Sequence, residues 1–170
     1  PDSPQASRWK SLREGIERNV RAHLWDVKRQ KFIPHIYPEK SPIPEGFDEL
    51  AIHYHGGTAI AIEAGLLSKD EIRTVNAQML ENVRLSGMPS IGLTLYPVYP
   101  DGFFHGGMSK AYLYQNGGDW TWFGGRMIQQ LVVNGMVEEA YAEIHPMIER
   151  VIQNDGFYEW YGKGGVPSGS

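Results

Sequence analysis

The sequence contains no cysteine among its 170 residues. This absence excludes disulfide bonds, zinc sites built on thiolates and cysteine nucleophiles. It leaves the cellular compartment open, because proteins without disulfides work in reducing and in oxidising surroundings. The chain also lacks an apolar run long enough to cross a membrane, so no membrane partner is expected.

Neither sign of charge dominates the chain. Lys and Arg number 16, Asp and Glu number 20, and the net charge at neutral pH is −4. Because proteins that grip the phosphate backbone are normally basic, no nucleic-acid partner is expected. Hydrophobic residues make up 41% of the chain, enough for a packed core. The length predicts a single domain over residues 1–170 rather than two domains.

Glycine, tryptophan and tyrosine are abundant instead, with 20, 5 and 9 residues. Many aromatic residues together with many glycines indicate long structured loops that carry flat, amphipathic side chains. Such loops often hold a ligand. Aromatic side chains that simply fill a core are the alternative.

Apolar residues recur at steps of three and four in several segments, which is the spacing of a helical face. Five helices are expected, with apolar faces or ranges at Trp9 to Leu24, 58–67, Ile72 to Val83, Trp120 to Leu131 and Val137 to Val151. Ser7 is the expected N-cap of the first helix, and Ser68 with Glu71 forms a capping box for the third. Pro146 should bend the fifth.

Long segments rich in proline, glycine and aromatic residues join these helices alternately with short turns. Residues 31–46, 88–107 and 154–170 predict extended loops. Alternating helices with all long loops at one end are typical of an α/α toroid. At about 34 residues per helix, a toroid of twelve helices needs roughly 400 residues, whereas typical helices alone average about 11–12. The predicted fold is therefore all-α and part of such a toroid.

Four segments stand in a suggestive order along the chain, namely LWDVKRQKFIPH, TAIAIEAGLLSKDEI, YQNGGDWTWFGGR and DGFYEWYGKGGVPSGS. Together they resemble the (α/α)6-barrel inverting glycoside hydrolases. This group includes processing α-glucosidases, trehalases, glycogen-debranching glucosidases and mannosylglycerate-hydrolase-like enzymes. The third segment resembles the motif that opens an inner helix, and the fourth resembles a late loop with a Glu-x-Tyr step. The resemblance implies that residues 1–170 form the C-terminal portion of a larger catalytic domain.

The resemblance also implies hydrolysis of an α-glycosidic bond, in a glucoside or a mannoside, with inversion. One carboxylic acid then protonates the leaving oxygen, and a second carboxylate about 6.5–9.5 Å away activates water. The family's base corresponds to Glu159. Only 158 residues precede Glu159, fewer than separate acid and base in the family, so the acid is expected outside this chain. The implied partners are an oligosaccharide or small glycoside substrate and the remaining part of the barrel.

The candidate substrate-binding residues carry amide, aromatic, acidic or basic side chains near glycines. They are Gln115, Asn116, Asp119, Trp120, Trp122, Arg126, His55, His105 and Trp160. Several have plainer alternatives, since an acid such as Asp119 also suits a helix N-terminus and Arg126 and Glu159 also suit an exposed surface. Residues i and i+2 of a helix point apart, so one of Trp120 and Trp122 is expected in the core and the other against a sugar. A non-catalytic carbohydrate-binding or structural helical domain is the alternative function.

No cofactor and no metal are expected. The Gly-Gly pairs do not form a dinucleotide-binding fingerprint, and no strand precedes them. His53 and His55 would point the same way in an extended segment, but no further ligands cluster with them and their spacing differs from that of zinc proteases. A sugar phosphorylase on the same scaffold would need phosphate-binding residues where Glu159 stands.

Overall fold

The computed structural model describes residues 3–105 and 110–169. The α-helices of these residues are α1 Pro4–His23, α2 His55–Glu63, α3 Lys69–Ser86, α4 Thr121–Val133 and α5 Val137–Gln153. Their strands pair antiparallel as β1 Trp25–Asp26 with β2 Lys31–Phe32, β3 His53–Tyr54 with β4 Leu95–Tyr96, and β5 Trp160–Tyr161 with β6 Pro167–Ser168. Short 3-10 turns cover Glu49–Ala51 and Lys163–Gly165. The described residues thus have helices for their framework, and their strands lie within the loops.

Helices α2 and α4 pack against each other at the centre of the described residues. Helix α3 lies against α2, and α5 lies against α4. The turns from α2 to α3 and from α4 to α5 are short, so each pair forms an antiparallel hairpin. The long segments 24–54, 87–105, 110–120 and 154–169 therefore lie at the end where α2 and α4 begin. This arrangement puts all the long loops at one end, as predicted from the sequence.

The ends of α3 follow the sequence closely. The Ser68 hydroxyl accepts a hydrogen bond from the Glu71 backbone N–H, and the Glu71 carboxylate accepts one from the Ser68 backbone N–H. Gly87 closes the helix in the left-handed conformation, at φ 69°. The capping box and the terminal glycine predicted from the sequence are thus confirmed.

The start of α1 differs from the expectation. Ser3 caps the helix, and its hydroxyl accepts a hydrogen bond from the Ala6 N–H at 3.2 Å. Pro4 follows at the first helical position, where its missing N–H costs nothing and its φ suits the helix. Ser7 lies inside the helix, so the prediction that it is the N-cap was wrong. The first residue of the apolar face is therefore a poor guide to the start of a helix when a Ser-Pro pair precedes it.

The main core is formed where α2, α3, α4 and α5 meet. Its buried residues are Trp25, Ala59, Ile62, Leu67, Ile72, Val75, Met79, Ile91, Met127, Ile128, Leu131, Met136, Ala140 and Met147. A second, smaller cluster holds Ile52, Leu95 and Tyr99 beneath the loops. The loops are therefore anchored by a core of their own and do not merely cover the helices.

Two helices leave apolar faces exposed. Helix α1 has no buried residue, and its Trp9 is 63% exposed. Helix α5 continues through Pro146, and the apolar stripe predicted for it is largely open to solvent, with Tyr141 66% and Ile152 72% exposed. Within the described part of the chain, no helix combines the length and the hydropathy needed to cross a membrane.

Candidate active site

Backbone hydrogen bonds draw the loops together above α2 and α4. Asp119 exchanges two of them with Tyr161, at 2.9 and 2.7 Å. The Trp120 N–H donates to the Gly92 carbonyl at 2.8 Å, and the Thr94 N–H donates to the Gly118 carbonyl at 2.9 Å. The segment after α3, the segment before α4 and the segment after α5 thus form one bonded layer, with Asp119 in the middle.

The side chain of Asp119 is fully buried at this junction. The Ser90 hydroxyl contacts both of its oxygens, at 2.9 and 2.7 Å, and the Arg150 guanidinium from α5 lies 2.9 Å from Oδ1. Burial raises the pKa of Asp119, and the positive charge of Arg150 and the Ser90 hydroxyl oppose that rise. Arg150 also stacks over the Tyr161 ring, 3.8 Å from its centroid. The Asp119–Arg150 ion pair therefore connects the three loops to α5. A ligand could reach Asp119 only if Ser90 and Arg150 moved.

A cleft of about 320 Å³ opens beside this layer. Aromatic, amide and imidazole side chains dominate its walls, which are formed by Tyr54, Leu95, Phe104, His105, Tyr114, Gln115 and Asn116. Flat aromatic surfaces with a few fixed polar groups suit a ring that bears hydroxyl groups. Three of the candidate substrate-binding residues, His105, Gln115 and Asn116, lie on this cleft.

The two amides of the cleft have different freedom. Asn116 is 1% exposed, its Oδ1 accepts from the Tyr99 N–H at 2.8 Å, and its Nδ2 donates to the Tyr99 carbonyl at 3.1 Å. Its amide therefore shapes the loop. The side chain of Gln115 is exposed, and among the described residues only its backbone carbonyl is hydrogen-bonded, to the Thr94 hydroxyl. Gln115 has its amide available to a ligand.

Trp120 and Trp122 point apart. The Trp120 indole N–H donates to the Tyr114 carbonyl at 3.1 Å, and the Tyr114 ring lies edge-on to Trp120 at 4.8 Å and to Trp160 at 6.3 Å. Trp122 is 51% exposed and carries the Arg126 guanidinium 5.0 Å from its ring centroid.

Arg126 is also engaged elsewhere, in an ion pair with Glu63 of α2. Trp120 and Trp160 thus lie behind the cleft wall formed by Tyr114, while Trp122 and Arg126 occupy the outside of α4. The structure does not bring all the candidate residues to one surface.

His55 lies away from the cleft. It is 2% exposed at the start of α2, its ring faces that of His53 at 5.2 Å, and its Nε2 is 3.1 Å from the Asn82 amide. Burial lowers its pKa to about 3, so the imidazole stays neutral. His53 lies in β3 and His55 is the first residue of α2, so the two histidines do not share one extended segment, and the cleft is on the opposite face of β3 from His53. Among the described residues, no group of three metal-ligating side chains surrounds them.

Glu159 stands at the start of the β5 segment, next to Trp160. Its backbone N–H donates to the Gly169 carbonyl at 3.0 Å, and its side chain is exposed. Gly169 has φ 71°, and a Cβ there would lie 2.6 Å from Glu159 Oε2. The Glu159 carboxylate therefore lies against the backbone of Gly169, where no side chain intervenes. Glu159 is two residues before Tyr161, which forms the backbone hydrogen bonds to Asp119.

No protein-family profile matches the sequence, and no curated protein matches it. Solved structures do match. A crystal structure of the GH63 mannosylglycerate hydrolase from Thermus thermophilus in complex with glucose aligns with a TM-score of 0.63 at 15% identity, over 91% of this chain and 33% of that chain. The same hydrolase in complex with Tris aligns with a TM-score of 0.59 at 15% identity over the same shares.

The chain has the fold of part of an α/α toroid. It spans about a third of the length of the hydrolase that it resembles. At 15% identity the likeness concerns the fold, and the predicted fold class is confirmed.

Glu49 lies in the long segment before β3 and is not among the candidate residues predicted from the sequence. Its Oε1 accepts hydrogen bonds from Tyr37 and Tyr99, each at 2.8 Å, and lies 2.7 Å from His35 Nδ1. Burial favours a higher pKa for Glu49, but the hydrogen bonds from His35, Tyr37 and Tyr99 outweigh it and lower the pKa below the ordinary value. Tyr99 also accepts a hydrogen bond from Tyr54 of the cleft wall, so Glu49 braces that wall.

Proposed function

We propose that this chain is part of a glycoside hydrolase that cleaves an α-glycosidic bond of a glucoside or mannoside with inversion. The observation that carries the proposal is the aromatic cleft at the loop end, on a fold shared with a solved glycosidase. Tyr54 and Tyr114 offer the ring faces, and Gln115 and His105 offer polar groups to hydroxyls. Trp120 and Trp160 support Tyr114 from behind.

In this proposal Glu159 is the general base that activates water. Its exposed carboxylate stands beside Trp160 on the segment that is bonded to Asp119, so it is accessible from solvent at the loop end. The general acid comes from a part of the toroid outside these residues, about 6.5–9.5 Å from Glu159 when the site is assembled. Asp119 then holds the platform together through Arg150, while Trp122 and Arg126 brace the outer side of α4.

The remaining part of the barrel is the proposed partner. The chain covers 33% of the hydrolase it resembles, and helices α1 and α5 expose apolar faces of the kind that a toroid buries between neighbours. These faces would pack against the other helices of the toroid and complete the cleft from both sides.

Sugar release from a panel of α-glucosides and α-mannosides, by the protein assembled with the rest of its toroid, tests the catalytic role. Glu159→Gln keeps the size of the side chain and removes the base, so hydrolysis should fall at least about 100-fold, since general base catalysis contributes about 100-fold to 10,000-fold. Asp155→Asn, an exposed acid of the same loop, is the matched control and should keep full activity. Full activity of Glu159→Gln would contradict the assignment.

A non-catalytic carbohydrate-binding domain is the second candidate. The observation that favours it is the full burial of Asp119, which leaves the cleft without an acid from the Tyr114 loop. The same panel separates the two functions. Binding of a glycoside without release of sugar, unchanged in Glu159→Gln, would support the binding domain and overturn the hydrolase.

A further inference from the structure

Tyr99 contacts three residues of the cleft wall. The Tyr54 hydroxyl donates to the Tyr99 hydroxyl at 3.1 Å, and the Phe104 ring lies edge-on to the Tyr99 ring, with 5.1 Å between the centroids. The Asn116 amide bonds the backbone N–H and the carbonyl of Tyr99, at 2.8 and 3.1 Å. All three residues line the cleft, whereas Tyr99 is fully buried. A shift of Tyr99 would therefore move three parts of the wall at once.

The hydrogen bonds of Tyr99 run in one direction. An ionised carboxylate can only accept, so the Tyr99 hydroxyl donates to Glu49 Oε1, at 2.8 Å. The hydroxyl of Tyr99 has one proton, so its oxygen is left to accept the proton of Tyr54. Hydrogen bonds in such a chain strengthen one another. The charge of Glu49 therefore fixes the Tyr99 hydroxyl, and Tyr99 in turn fixes the Tyr54 hydroxyl.

Two further groups hold the Glu49 carboxylate in place. The Tyr37 hydroxyl donates to Oε1 at 2.8 Å, and His35 Nδ1 lies 2.7 Å from the same atom. Burial favours a higher pKa for Glu49, but its hydrogen bonds outweigh this and lower the pKa below the ordinary value. Burial also raises the pKa of Tyr37, to about 12, and of Tyr54 and Tyr99, so these phenols stay protonated at neutral pH and below. Among the described residues, His35 is then the other titratable group against Glu49.

We propose that Glu49 is a positioning residue of the cleft for a sugar ring, and that it acts through the Tyr99 hydroxyl. The ionised carboxylate fixes Tyr99, and Tyr99 fixes the wall that the sugar meets. Sugar binding and the charge of Glu49 are then linked, so the affinity is highest while Glu49 is ionised and falls as acid protonates it. The ligand is the sugar of the proposed function, on which this role rests. A role in stability alone would leave the affinity of the folded protein unchanged.

A matched pair of variants separates positioning from stability. Tyr99→Phe and Tyr37→Phe each remove a hydroxyl that donates to Glu49 at 2.8 Å, but the Tyr99 hydroxyl also bonds Tyr54 of the cleft wall. D-Glucose and D-mannose, which cannot be hydrolysed further, are titrated into the protein assembled with the rest of its toroid. Tyr99→Phe should weaken binding of the sugar by about tenfold, the value of one hydrogen bond to a charged group, and Tyr37→Phe should leave it unchanged. Equal effects of the two variants would overturn the proposal.

A pH series tests the charge of Glu49. Wild-type affinity should fall as the pH drops below 4.5, because the folded state holds the pKa of Glu49 below that value. Glu49→Gln should bind the sugar more weakly at neutral pH and lose no further affinity in acid. His35→Gln removes the other titratable group and should retain a loss of affinity in acid. A loss that persists in Glu49→Gln, or that disappears in His35→Gln, would contradict the link to Glu49.

A measurement without ligand tests the same contacts. In NMR spectra of the 170-residue chain, Glu49→Gln should shift the ring signals of Phe104 and the side-chain amide signals of Asn116, which contact Tyr99. The same substitution in a Tyr99→Phe background should leave these signals in place. Equal shifts in both backgrounds, or in neither, would overturn the proposal whether or not a sugar binds. Shifts that depend on Tyr99, without binding of either sugar, would count against the proposed function and support the role of Glu49 in holding the wall.

Discussion

The loop end and the outer helix faces of this chain are built in opposite ways. At the loop end, charged and polar side chains are buried and bonded, as with Asp119 between Ser90 and Arg150. On α1 and α5, large apolar side chains are exposed, among them Trp9 and Tyr141. The usual distribution of polar and apolar residues is thus inverted between the two regions.

This difference shows which region is held in place by contacts within the chain. A buried carboxylate is tolerated when hydrogen bonds and an opposite charge satisfy it, and both oxygens of Asp119 have such partners, Ser90 and Arg150, within the described residues. An exposed apolar face gains stability only when another surface covers it. The loop end is therefore preorganised within the chain, whereas the helix faces are suited to packing against further helices. Four substitutions test this contrast.

The largest effect is expected from Asp119→Ala. It leaves the Arg150 charge buried without a partner, which should cost about 3–5 kcal/mol of unfolding free energy. Asp70→Ala breaks the ion pair with Arg73 on a side chain that is 93% exposed, and should cost less than about 1 kcal/mol. Urea unfolding of both variants measures the difference. Equal midpoints would show that the loop end does not depend on the buried pair.

Gly92→Ala should destabilise the same layer by about 1–3 kcal/mol through overpacking. A Cβ at this position would collide with Asp119 Oδ1 and the Trp120 carbonyl. Gly15→Ala in α1 is the control, because its Cβ meets only the end of the Arg18 side chain at 4.0 Å. In an exposed helix that change should stabilise the protein by about 0.5–1 kcal/mol. Thermal melts with shifts of the same sign would remove the distinction between the regions.

Glu49→Gln should cost about 2 kcal/mol at neutral pH, because hydrogen bonds to a charged acceptor are lost. The folded state lowers the pKa of Glu49 below 4.5, so its contribution is complete above that pH and is lost as the pH falls through the folded-state pKa. The gap between wild type and variant should therefore close in acid. Glu45→Gln, on an exposed residue, should show no gap. A difference in unfolding free energy between wild type and Glu49→Gln that is independent of pH would show that the charge of Glu49 is not the cause of the stabilisation.

The smallest change in stability, within about 0.5 kcal/mol, is expected from Ile148→Ser on the exposed face of α5. Its effect should appear in association instead, because the substitution breaks the apolar surface. Light scattering of the 170-residue chain should show less self-association than wild type, and Glu149→Ser beside it should show no change. Unchanged self-association in both variants would mean that the exposed apolar face of α5 does not contribute to association.

Local signals in the sequence predicted the framework well. Ser68, Glu71 and Gly87 mark the ends of α3 because capping is decided within a few residues. The apolar spacing of α5 correctly predicted a helix, but spacing does not reveal what covers an apolar face. In the structure, Tyr141 and Ile148 of this apolar stripe are exposed, which the spacing did not reveal.

The connections of the site could not be predicted in the same way. Asp119 meets Ser90 and Arg150 across 29 and 31 residues of chain, and a single sequence gives no sign of such pairing. Asn116 looked like a ligand-binding amide, and its bonds to Tyr99 follow from how two loops fold back on each other. The roles of Glu159, Gln115 and the other candidate residues in binding and catalysis remain predictions.

The most direct test of the central proposal is the configuration of the first sugar released. Proton NMR can follow the anomeric signal when the protein, assembled with the rest of its toroid, hydrolyses an α-glycoside. We predict that the β-anomer appears first and the α-anomer only later by mutarotation, because two separated carboxylates direct water to the opposite face. First release of the α-anomer, or no release from any α-glucoside or α-mannoside, would contradict the account.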